Sequence, residues 1–360
     1  MQHIQTEITD EKLVFYLSVA QISFLNFNQK KNLTKNLDSP YSLALQSIEE
    51  IFKLSSRIPV YGERKSRAIW NGAENLRVAR AVAWQCERLG IQILFSEDEE
   101  YPESLRQLAD PPFALFVRGD SKLLSGPCIS VVGTRRLSQA GREAARSFSK
   151  AAASDGCNVV SGLAAGADTY AHLGALDAYY DSVEKGGDVS ATGRTIAVLP
   201  GAIDNIVPYT NKKLAAQILQ SGGCLVSEYG PGYGTGKWQF VARNRIVAGL
   251  SEATVVIEAP AGSGALITAD FAIEDGRDLF FHEAAFGEAA SRISGLVRAE
   301  LEKDFSAGRV SKYKMENTPE KFLSAGAPVI KDYKDFCVAL TEMPGMRSTG
   351  PVQGELFTEI

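Results

Sequence analysis

The sequence predicts an α/β protein: a Rossmann-like, doubly wound, mostly parallel sheet preceded by a small all-α N-terminal domain. Three observations carry this. From residue 128 onward, apolar β-rich runs alternate with helical stretches, and continuous apolar strands separated by helices mark a parallel sheet buried on both faces. The first hundred residues instead place apolar side chains at three- and four-residue spacing, the helical period. The length, 360 residues, suits two domains of roughly 150 residues each.

The elements follow in order. Residues 1–97 read as the helical domain, with helices over 12–28, 41–54 and 63–89. Ser39 is placed to cap the second helix, and Pro40 sits in its first turn, where a missing N–H costs nothing. The third carries Ile69, Leu76, Val78, Val82 and Leu89 on its apolar side, with Gly90 as a stop. Residues 98–124 read as a linker and lead-in strand, containing Tyr101-Pro102 and Asp110-Pro111-Pro112. Residues 125–335 form the Rossmann-like domain. Its strands are expected at 128–132, 158–161, 195–199, 224–227, 254–258 and 279–281, and its helices at 141–155, 168–176, 212–221 and 263–275. Two stretches read as insertions, 178–192 and 286–314, the second as one helix and a polar loop. Residues 336–360 read as a mobile C-terminal tail, rich in Gly, Pro, Ser and Thr from Met343.

Composition narrows the function. Thirty-eight basic and 43 acidic side chains give a net charge of -5, which excludes a globally basic nucleic-acid binder but leaves a local basic rim open. Five cysteines with no CxxC pair, and three histidines, predict neither a disulfide framework nor a metal site. No apolar run approaches the roughly 18 residues of a membrane span, and the first residues lack a signal-peptide layout. The expected compartment is the cytoplasm, and no cofactor is expected.

In an open α/β sheet, ligands bind beyond the carboxyl ends of the strands. After the first strand of the domain come Gly133, Arg135 and Arg136: a tight turn with cations able to bind phosphate. After the second come Ser161, Gly162 and Gly166, opening a helix near Asp168; after the fifth come Glu258, Ser263 and Gly264. Three glycine-containing loops on one rim make an anion-receptive surface. The run 237–245 is the most informative. Lys237, Trp238, Phe240, Arg243, Asn244 and Arg245 combine cations, rings and amides without an acid, the residue types that track and stack a single strand. A bland alternative is a helix start with Phe240 in the core and the arginines in salt bridges. Asp168 and Glu258 read as loop-orienting or helix-capping acids, His172 and His282 as structural, and no catalytic residue is expected.

These motifs, with Ala171-His172, Ser227-Glu228-Tyr229, Gly249-Leu250-Ser251, residues 266–269 and Gly276-Arg277 in one order, resemble the DprA (Smf) family of DNA-processing proteins. Tyr101-Pro102 through 117–120 matches the family's lead-in, so the resemblance runs over about residues 100–282. It implies a non-catalytic Rossmann-like protein that binds single-stranded DNA, forms a homodimer, and helps load RecA beside single-strand-binding protein during natural transformation. Carried over by position, it implies DNA contacts by Arg135, Lys237, Phe240, Arg243 and Arg245. The chain departs from the family at Pro200-Gly201-Ala202, where Gly-x-Gly is usual, at Asn205 after Asp204, and at Ala165. The tail residues Gln353, Leu356 and Phe357 resemble a short peptide that docks on the bacterial sliding clamp. An alternative reading is a nucleotide-processing phosphoribohydrolase of related fold, prompted by residues 260–264.

Overall fold

The computed structural model describes residues 10–57 and 69–342; the clamp-like Gln353, Leu356 and Phe357 lie outside them. The helices and strands run α1 (Glu11–Ala20), α2 (Phe27–Asn36), α3 (Pro40–Ala44), α4 (Ile48–Leu54), α5 (Gly72–Leu89), β1 (Gln92–Phe95), α6 (Glu103–Arg106), β2 (Ala114–Gly119), β3 (Cys128–Val132), α7 (Gln139–Ser154), β4 (Asn158–Ser161) and α8 (Ala167–Glu184). They continue with β5 (Thr195–Val198), α9 (Lys212–Gln220), β6 (Cys224–Ser227), α10 (Gln239–Ala242), α11 (Asn244–Gly249), β7 (Ala253–Val256), α12 (Gly264–Glu274) and β8 (Asp278–His282). The described residues end with α13 (Glu288–Ser306), α14 (Lys312–Glu316), α15 (Pro319–Ser324), β9 (Val329–Ile330) and α16 (Tyr333–Glu342).

The nine strands among the described residues join one sheet in the order β1-β2-β6-β5-β4-β3-β7-β8-β9. The pairs from β6 through β9 are parallel, and only β1 and β2 run antiparallel to their neighbours. This is the expected α/β class. Every residue of β3, β4, β5, β6 and β7 is buried, because helices cover both faces of a parallel sheet. Each large apolar side chain so buried contributes about 1.5–3 kcal/mol. On one face, α7 and α8 approach closely through Ala144, Ala145, Ala171, Ala175 and Gly174. A Cβ on Gly174 would stand 2.2 Å from the Arg146 carbonyl oxygen, so only glycine permits this spacing.

The N-terminal helices differ from their expected spans. The stretch 12–28 is not one helix: α1 ends at Ala20, and Asn26 starts α2 with a capping box completed by Gln29. Ser47 and Glu50 form a second box that splits 41–54 into α3 and α4. Each box satisfies free amides of a new helix end. Asn71 caps α5, so that helix begins at Gly72. Ile69 lies ahead of it, 88% exposed, and Leu89 is exposed too, so neither serves the apolar face. Ser39, Pro40 and Gly90 act at helix ends as expected, Gly90 in the left-handed region at φ 61°. The helices close on the sheet through a shared cluster that includes Phe15, Val82, Phe95, Phe113, Phe116 and Leu225.

Strands β1 and β2, from the stretch read as domain end and lead-in, form the antiparallel edge of the same sheet. The first stretch read as an insertion is largely helical: α8 continues to Glu184. No helix among the described residues is long and apolar enough to cross a membrane.

Candidate nucleic-acid interface

The carboxyl ends of β3, β4 and β7 deliver three loops to one rim, and backbone hydrogen bonds stitch them together. Thr134 N–H donates to the Glu258 carbonyl at 2.6 Å, and Ala167 N–H donates to the Thr134 carbonyl at 3.2 Å. Two glycines allow this approach. A Cβ on Gly133 would stand 2.7 Å from the Ala167 Cβ, and one on Gly166, at φ +86°, would stand 2.3 Å from the Thr134 carbonyl oxygen. The glycines of these loops therefore make room for backbone; here that backbone belongs to the protein itself.

The two rim acids fasten the loops. Glu258 is buried, and its carboxylate accepts from the Ser138 N–H at 2.9 Å and from the Ser138 hydroxyl. Ser138 Oγ in turn accepts from the Gly141 N–H at 3.0 Å and caps α7. Asp168 accepts from the Ala164 N–H at 3.2 Å and lies 3.8 Å from the Arg243 guanidinium. Burial pushes the Asp168 carboxyl above the ordinary carboxylate range, opposed chiefly by Arg243. Both carboxylates have structural partners, consistent with their reading as loop orienters.

The rim encloses a cleft of about 490 Å³, lined among others by Gly133, Arg135, Arg136, Gly162, Phe240, Arg243, Asn244, Ser263 and Gly264. Nine of the residues expected from sequence to contact DNA thus meet in one cavity. Arg135 and Arg136 are exposed. The Arg135 guanidinium sits 5.6 Å from the centre of the half-buried Phe240 ring, a cation–π distance. Lys237 and Trp238 are exposed on the turn ahead of α10, Trp238 at 60%. Lys237 is not part of the cleft wall; it stands beside it on the same segment.

Several expected contacts are corrected by where their side chains go. Arg243 is buried, and its guanidinium donates to the carbonyls of Gly162 and Val198 and, at 3.1 Å, to Asn244 Oδ1. It forms part of the cleft floor. Arg245 is buried on the other side of the segment, donating to Glu228 at 2.7 Å and to the Asp110 carbonyl at 2.8 Å. There it ties the lead-in to the loop after β6, and the expected phosphate contact gives way to an internal ion pair. The physical reason is helical: residues two apart point about 200° apart. That spacing in Arg243-Asn244-Arg245 was the signal that both arginines could not face one strand.

Ser161 is also spent internally, its hydroxyl donating to the Val131 carbonyl at 2.7 Å. Gly162 makes room for Arg243, since a Cβ there would stand 2.1 Å from the guanidinium carbon. Asn244 donates to the Gly264 carbonyl at 3.1 Å. Ser263 caps α12 by accepting from the Ala265 N–H at 3.3 Å. The Gly262 N–H, part of the loop read as anion-receptive, donates instead to the Asn317 carbonyl at 2.8 Å. In the divergent Pro200-Gly201-Ala202 turn, the Gly201 carbonyl accepts from the Ser227 hydroxyl at 2.6 Å. His172 is buried with Nδ1 2.6 Å from Thr195 Oγ1, and burial together with the Arg243 cation lowers its pKa to about 3. Among the described residues no group of three His, Cys, Asp or Glu side chains is placed to hold a metal ion. Sequence reasoning missed Val297, Glu300, Leu301, Asp304 and Lys314, which line the cleft from α13 and α14. Only the length of the unexplained stretch 286–314 hinted at them.

The sequence profile of the family described as DNA recombination-mediator protein A matches residues 92–304, more than half of the chain. The chain belongs to this family. The DNA recombination-mediator match begins at the first residue of β1 and takes in all three rim loops, α10 and α11. Protein Smf of Borreliella burgdorferi is 30% identical over 311 residues, which cover 84% of this chain and 91% of that protein. DNA processing protein DprA of Bacillus subtilis is 36% identical over 219 residues, covering 60% of this chain and 69% of that one. The X-ray structure of DprA from Streptococcus pneumoniae superposes with a TM-score of 0.61 at 25% identity, covering 90% of this chain and 97% of that one. DprA from Helicobacter pylori, solved for its single-stranded DNA binding mode, gives a TM-score of 0.51 at 25% identity over 70% of this chain and 96% of that one.

Proposed function

We propose that this protein is a non-catalytic, cytoplasmic recombination mediator that holds single-stranded DNA across the rim cleft. The observation that carries the reading is the meeting of exposed Arg135 and Arg136 with the Phe240 ring at the carboxyl ends of the parallel strands. Guanidinium groups bind phosphate, and a ring beside them stacks an unpaired base. Arg243 supports this from below as a buried cation that shapes the floor. The Helicobacter pylori relative's single-stranded DNA binding mode supports the same ligand class. With a strand in place, a homodimer of this chain delivers it to RecA beside single-strand-binding protein during DNA uptake. The commitment of Asp168 and Glu258 to loop fastening favours binding over the hydrolytic alternative.

The test is fluorescence anisotropy with a labelled single-stranded oligonucleotide and its duplex across a salt series. Three neutralised phosphates, at Arg135, Arg136 and Lys237, give a slope of log K against log salt near roughly −2. Phe240→Ala weakens strand binding by about 1–3 kcal/mol with the fold retained. Salt-independent binding, a preference for duplex, or release of free base from a nucleoside monophosphate overturns the reading.

A further inference from the structure

Helix α13 belongs to the stretch that reads as an insertion, and its geometry gives it a task. It is fastened at one end. Leu301 is buried near Gly262, and the Gly262 N–H is held by the Asn317 carbonyl. Asp270 on α12 then accepts from Tyr313 at 2.6 Å, Asn317 at 2.8 Å and Lys321 at 2.9 Å. The helix itself is loosely seated: of its 19 residues, Ala290 and Leu301 alone are buried. Most of its charges pair locally, Arg292 with Glu288, Arg298 with Glu302, and Asp304 with Arg309. Glu300 instead reaches across the cleft mouth to Arg136, at 4.0 Å.

We infer that α13 is the outer wall of the strand cleft and that Glu300 competes with a strand phosphate for Arg136. The inference rests on the cleft being the strand site. A carboxylate and a phosphate are alternative anions for one guanidinium. Both partners here are largely exposed, at 72% and 70% of their side-chain surface, so the pair is weak and exchangeable. A strand therefore enters by displacing an internal anion, and the cleft binds more weakly than its cations alone would allow.

The test compares full-length wild type, Glu300→Gln, Arg136→Gln and the double variant, by anisotropy with a labelled oligothymidine at several salt concentrations. Glu300→Gln should tighten binding about two- to fivefold at low salt, the span of an exposed ion pair. The salt slope should stay near roughly −2, because Arg136 takes a strand phosphate in both proteins. In the Arg136→Gln background the same substitution should change affinity much less. An unchanged affinity in Glu300→Gln overturns the inference. So does an equal gain in both backgrounds, which would make Glu300 a diffuse repulsive charge rather than a competitor for Arg136. Wild-type protein that shows no salt-dependent strand binding would instead refute the cleft reading itself, a result separate from the Glu300 comparison.

Discussion

Replacing Arg243 by Met separates a structural arginine from a DNA-contacting one. The side chain is buried, donates to the carbonyls of Gly162 and Val198, and stands 3.8 Å from Asp168. Met keeps the length of the stem and removes the charge. Two carbonyls then lose charge-assisted donors and a buried carboxylate loses its cation. Breaking one partner of such a buried pair costs about 3–5 kcal/mol. At about 2 °C per kcal/mol for a chain of this size, the melting temperature falls by roughly 6–10 °C. The loss has a pH signature. Burial already raises the Asp168 carboxyl, and removing its counter-charge raises it further. A group with a raised folded-state pKa stabilises the fold below its unfolded pKa, and that stability is lost as pH rises through the folded pKa. The variant should therefore recover relative to wild type as pH is lowered toward that of free carboxylates. Differential scanning fluorimetry across pH, with Arg135→Ala as the exposed control, checks both points. Arg135→Ala should bind DNA less well while melting like wild type. A fully stable Arg243→Met protein that has lost only DNA binding refutes the reasoning.

Two further outcomes follow from the same packing. Gly166→Ala puts a Cβ 2.3 Å from the Thr134 carbonyl oxygen at a φ of +86°. It should destabilise the fold by about 1–3 kcal/mol and displace the loop carrying Arg135, seen as lower melting temperature together with weaker strand binding; a variant matching wild type in both would show that the rim tolerates the shift. His172 is held neutral, with its pKa lowered from 6.5 to about 3. Its contribution is present above the unfolded value near 6.5 and is lost as pH falls toward 3, roughly 4–5 kcal/mol in all. His172→Gln should flatten the urea-denaturation stability profile over that window, and an unaltered profile would count against a neutral buried imidazole.

Much of the sheet was legible in the sequence because a parallel strand buried on both faces is mostly apolar, as 128–132 and 224–227 are apart from Ser130 and Ser227. The rim loops were legible because close backbone approach requires glycine at 133 and 166. The helical region was less so. Apolar spacing continues across 12–28 and 41–54, and the breaks depend on reciprocal side-chain caps at Asn26–Gln29 and Ser47–Glu50. Periodicity does not report such caps.

The charge of -5 and the few clustered cations were already visible in the chain, as were the fold class and the rim on which they sit. Which cations face outward was a tertiary outcome. Arg135 and Arg243 are the same residue type in neighbouring motifs. One stands in solvent against Phe240, and the other is enclosed by Gly162, Val198 and Asp168. A guanidinium's role depends on how many acceptors fold around it, and those acceptors come from the loop after β4, from β5 and from α8, segments far from it in sequence.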